Sequence, residues 1–92
     1  MNYVIIPCFF ENDRTKSFKV ISKEAVLSDY TIRDIVFFRF DALEPAFEEE
    51  TNTNYTVIHL GSTDFATPLT IEETLNKIQK AFSITNIKIN TN

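Results

Sequence analysis

Cys8 and His59 are the single cysteine and the single histidine of the chain, and they are the one pair that could act as a nucleophile and its base. That chemistry requires the fold to bring them within hydrogen-bond reach. Their local settings point elsewhere. Cys8 lies in the apolar run NYVIIPCFF, where a cysteine behaves as a small buried hydrophobe. His59 lies mid-strand in NYTVIHL beside Tyr55 and Val57, the setting of a structural histidine. One Cys and one His do not make a zinc site, and the single glycine, Gly61, excludes a Gly-rich phosphate cradle. Glu44 and Glu48 are four apart and would share a helix face, a carboxylate pair that could hold Mg²⁺ or Ca²⁺. Such cages need more oxygen ligands at fixed geometry, and a solvated acidic loop is the simpler expectation. No catalytic residue, metal, cofactor or small-molecule substrate is therefore expected, and the chain is not expected to be an enzyme.

Charge and aromatic content carry the remaining chemistry. Thirteen acidic against nine basic residues give a formal net charge of −4, which lowers the expectation of phosphate-backbone binding without deciding it. Arg14, Lys16, Lys19 and Lys23 are the densest basic group; edge lysines discourage aggregation, and the same group could form a weak anion or nucleic-acid patch. Nine phenylalanines and three tyrosines are many for this length, so a share of them is expected on a partner surface. Phe9 and Phe47, with Glu44 and Glu48, are the candidates for that surface.

The elements that must position these residues can be read in order. Asn2 to Phe10 is a strand with two apolar faces, Tyr3, Ile5, Pro7 and Phe9 against Val4, Ile6, Cys8 and Phe10. Two apolar faces suggest a central strand, whereas Pro7 suggests an edge or a bulge. A partner covering one face would reconcile the two. Lys16 to Ile21 is expected to pair back as a hairpin. Ser22 to Thr31 is ambiguous between a helical turn and a short strand. Ile32 to Phe40 reads as a central strand. Asp41 to Thr53 is the most acidic stretch, with Pro45 placed to start a short helix over Ala46 to Glu50, anchored by Phe47. Tyr55 to Leu60 alternates as a strand, Gly61 to Asp64 turns, and Phe65 to Thr67 returns to a stop at Pro68. Thr70-Ile71-Glu72-Glu73 has capping-box spacing and opens a helix to Phe82, with Ile71, Leu75, Ile78 and Phe82 as its apolar stripe. A short strand around Ile87 to Ile89 ends the chain.

The run NYTVIHL, a short turn, a second strand and TPLTIEETLNKI resembles the central part of LytTR-type domains. Arg33-Asp34-Ile35-Val36-Phe37-Phe38-Arg39-Phe40 is similar to the aspartate–isoleucine–aromatic strand those domains carry upstream. The resemblance covers about Thr31 to Phe82 and implies a β-rich DNA-binding module of bacterial transcription regulators. Asp41 to Thr53 is an insertion relative to that pattern. Asn86 falls at the family's His/Asn position, but Ile84 and Ile87 stand where arginines that contact DNA are expected. DNA contacts implied by the resemblance would come instead from Arg14, Lys16, Lys19, Arg39 and Lys88.

Ninety-two residues suffice for one domain with a modest core. One cysteine allows no internal disulfide. No run is long and apolar enough for a transmembrane helix, no secretion signal is evident, and a cytoplasmic location is the default. The expected fold is α+β: a small antiparallel or mixed sheet of five to six short strands with one helix, Thr70 to Phe82, packed on it. Two functions follow. One is a small regulatory interaction module that binds a protein partner or itself as a homodimer. The other is a LytTR-like DNA-binding regulator.

Overall fold

In the computed structural model, which describes residues 2–12, 26–83 and 87–91, the first apolar run forms strand β1 (Val4–Phe10). It pairs antiparallel along its length with β2 (Thr31–Phe37), Val4 opposite Phe37 and Phe10 opposite Thr31. Side chains alternate across a strand, so one face of this two-stranded ribbon carries Val4, Ile6, Cys8, Ile35 and Phe37. That face is the buried one. The expected partner strand at 16–21 lies outside the described residues. Ile32 to Phe40 was expected to be central; the strand instead ends at Phe37 and belongs to a ribbon with one face open. A short 3₁₀ helix, Leu27–Asp29, leads into β2.

The second sheet is a meander of β3 (Ala42–Glu48), β4 (Thr53–Leu60) and β5 (Thr63–Thr67). The expected short helix over Ala46 to Glu50 is corrected here: this stretch is β3 and then a turn. Pairing with β4 decides it, with Leu43 opposite Ile58 and Glu48 opposite Thr53. Pro45 fits because Leu43 N–H points away from β4, donating to Lys88 C=O at 2.9 Å. Two residues on, the missing N–H of Pro45 falls on that same outer edge, where no β4 ladder bond is lost. The tail joins β3 there through a parallel bridge, Leu43 to Ile89. The β4–β5 turn is tighter than expected, only Gly61-Ser62, with Leu60 opposite Thr63. Gly61 has φ +61°, as the first position of a II′ hairpin turn requires, and its N–H donates to Asp41 Oδ2 at 2.6 Å.

Helix α1 (Ile71–Phe82) starts as its sequence dictates. Glu73 N–H donates to Thr70 Oγ1 at 3.2 Å, and Thr70 N–H donates to Glu73 Oε1 at 3.0 Å. It ends at Ser83, whose left-handed backbone lets its N–H bond Gln79 C=O at 2.9 Å. Thr74, Ile78 and Ala81 are buried, flanked by half-buried Ile71, Leu75 and Phe82. α1 packs against β1, β3 and β4, so its stripe joins the ribbon to the meander. Phe37 and Phe65 complete that junction edge to face, ring centroids 5.2 Å apart. The buried Thr56 hydroxyl donates to Leu69 C=O at 2.9 Å, tying β4 to the start of the helix. Among the described residues no buried side-chain polar atom lacks a partner, and no helix is long and apolar enough to cross a membrane.

Candidate protein-interaction surface

The other face of the β1–β2 ribbon is where sequence and burial disagree. The register pairs Ile5 with Val36, Pro7 with Asp34 and Phe9 with Ile32. Tyr3 and Phe38 extend the same face at one end, with ring centroids 6.3 Å apart. Seven of these eight side chains are apolar. Phe38 is 71% exposed, Ile32 53%, Val36 47%, Ile5 45% and Tyr3 41%. The row is a contiguous exposed apolar patch on a molecule whose other strand faces are largely core or polar. Asp34 is the lone charge on the face and makes no ion pair among the described residues.

Two open grooves adjoin the Tyr3–Phe38 end. One, of about 390 Å³, runs between β1 and α1 and is lined by Tyr3, Val4, Ile5, Lys77, Lys80 and Ala81. The other, of about 480 Å³, is lined by Phe38, Phe40, Phe82 and Ile87 together with Arg39, Lys88 and the acidic Asp41. The Phe40 and Phe82 rings pack tilted against each other, centroids 6.2 Å apart. Arg39 is 3.5 Å from Asp41, in an exposed pair that contributes little to stability.

The residues expected at sites are distributed as follows. Phe9 lies on the apolar ribbon face, half-buried near Leu27 and Tyr30. Phe47 is exposed, but on β3. Glu44 and Glu48 share a strand face rather than a helix face, and each has a structural partner. Glu48 accepts the Leu27 N–H at 2.9 and 3.1 Å and the Thr51 hydroxyl at 2.7 Å, anchoring the 3₁₀ turn to the end of β3. Glu44 lies 3.2 Å from His59 Nε2, and Asp64 lies 2.7 Å from His59 Nδ1. Arg39 and Lys88 share one groove, whereas Arg14, Lys16 and Lys19 lie outside the described residues, as does Asn86.

Cys8 and His59 do not form a dyad. Both ring nitrogens of His59 are taken by carboxylates, and its pKa is held above the ordinary value, foremost by the hydrogen bond to Asp64 and then by Glu44. The Cys8 thiol is fully buried and donates to Ile6 C=O at 3.6 Å. Burial, reinforced by the Asp34 charge, pushes its pKa up to about 12, far from a reactive thiolate. No group of three or more His, Cys, Asp or Glu among the described residues could hold a metal ion.

The ribbon face was partly legible: both apolar rows of β1 stand in the sequence, as do Ile32, Val36 and Phe38. What sequence reasoning missed was that β1 and β2 pair with each other, which puts the surplus rows on one face. No protein-family model matches the sequence, and comparison with curated proteins and with solved structures gives no match.

Proposed function

We propose that this chain is a small non-enzymatic interaction module that docks a partner protein on the outer face of the β1–β2 ribbon. One observation carries this: seven apolar side chains stand in register on one sheet face, exposed or half-exposed, while the opposite face of the same strands is core. A strand with two apolar faces is ordinary inside a protein and anomalous at its surface. A partner removes the anomaly. The test is affinity purification with the wild-type chain and an Ile5→Asp/Val36→Asp variant as parallel baits. Both positions are exposed, so the variant should keep its circular dichroism spectrum. A stoichiometric partner recovered by wild type and lost by the variant is expected; equal recovery by both baits would remove the face from the proposal.

A second reading, binding of duplex DNA as the LytTR resemblance implies, draws on Arg39 and Lys88 lining one groove. Its check is fluorescence anisotropy of labelled duplex at low and near-physiological salt. Tight binding with a steep inverse salt dependence would favour this second reading over protein docking.

A further inference from the structure

We infer that the occupant of the ribbon face is an acidic amphipathic helix of a partner protein, its apolar stripe on Ile5, Val36, Tyr3 and Phe38 and its carboxylates toward Lys77, Lys80, Arg39 and Lys88. This inference deepens the docking function proposed above and rests on it.

Shape selects a helix. Two strands of seven residues make a strip about 23 Å long and about 10 Å wide. That is the footprint of one helix of about fifteen residues, whose diameter with side chains is about 10 Å. The strip is far smaller than the roughly 800 Å² per partner that a stable globular interface buries. A second copy seated face to face would also bury Asp34 against apolar side chains with no cation supplied by this face, which is costly. A helix lying along the strip also covers Asp34, but it can carry one Lys or Arg at that point, which a second copy of this face cannot supply.

Charge selects the sign. The protein is acidic overall, yet four of the five basic side chains among the described residues border the two grooves at the Tyr3–Phe38 end. Lys77, Lys80 and Lys88 make no ion pair among the described residues, and only Arg39 has a carboxylate near it, Asp41. Glu73, one turn before Lys77, is already engaged with Thr70. The Tyr3–Phe38 end of the apolar row is therefore bordered by four cations, three of which make no ion pair among the described residues. An incoming helix with Asp or Glu beside its apolar stripe gains steering and specificity from them. Nucleic acid fits less well, because aromatic planes are confined to Tyr3, Phe9 and Phe38, and Ile5, Val36, Ile32 and Pro7 between them give a base nothing to stack on.

The experiment is selection of a displayed library of random peptides, about sixteen residues long to span the strip, on the wild-type protein. Peptides that also bind Ile5→Asp/Val36→Asp are removed. The expected pool has Leu, Ile or Phe at helical spacing with Asp and Glu enriched. A selected peptide should bind about tenfold more weakly to Lys77→Gln/Lys80→Gln, and more weakly in high salt. Enrichment of Lys and Arg would overturn the acidic occupant while leaving the docking face in place. A pool that does not distinguish wild type from the aspartate variant would overturn the docking face itself. Sedimentation of the free protein showing a dimer that Val36→Asp dissociates would assign the face to a second copy. Tighter binding of a single-stranded oligonucleotide through the same lysines would assign it to nucleic acid. Each of those last two results overturns the helix.

Discussion

His59 bridges β3 and β5 from the middle of the meander, and its charge carries a pH signature. The Asp64 hydrogen bond and Glu44 raise its folded pKa above the ordinary imidazole value of 6.5. The stabilisation they provide is therefore fully present below the unfolded pKa and is lost as pH rises through the folded pKa. The difference in Tm between wild type and His59→Gln should accordingly be largest near about pH 5.5 and shrink toward about pH 8.5. A constant difference across that range would mean packing, not charge, is what His59 contributes. Cys8 gives the complementary test. A buried thiol with a pKa of about 12 should react with a disulfide reagent at neutral pH only as fast as the protein opens, and promptly in denaturant. Burial of Cys8 was legible in its apolar run, whereas the two carboxylates on His59 were not, because they come from neighbouring strands, Glu44 on β3 and Asp64 on β5.

At the scale of elements, legibility followed locality. α1 was readable to within a residue: its cap, its Glu73 reciprocal bond and its apolar period are all contained in thirteen consecutive positions, 70–82. Thr70→Ala should cost about 1 kcal/mol of stability, measured by urea unfolding, because the Glu73 N–H loses its side-chain acceptor. The Gly61 turn was readable for the same reason. β3 was not. Glu44 and Glu48 at a spacing of four, with Pro45 between them, match the first turn of a helix as well as they match a strand. Pairing with β4 chose the strand, and the outward edge at Leu43 made Pro45 harmless there. Local propensity was balanced, so non-local pairing won.

For the whole molecule the decisive contrast lies between two adjacent phenylalanines. Phe37 is buried against Phe65, and Phe38 is exposed beside Tyr3. Phe37→Ala should cost about 3–5 kcal/mol, a large share of the roughly 5–15 kcal/mol that holds a small domain folded. Phe38→Ala should leave Tm nearly unchanged and weaken partner binding. Thermal melts of both variants, with the partner assay on Phe38→Ala, check the pair. Sequence alone determined the α+β class, the capped helix, the Gly61 hairpin and the surplus of apolar strand faces, since each is written in short-range period and turn chemistry. Only the tertiary structure decided that β1 pairs with β2, that Asp41 to Thr53 is mostly a strand, and which apolar rows go uncovered. Alternation says that two faces differ, but which face meets a core depends on what the rest of the chain can bring to it. Here one helix and one meander cover a single face of the ribbon, and the other is left exposed.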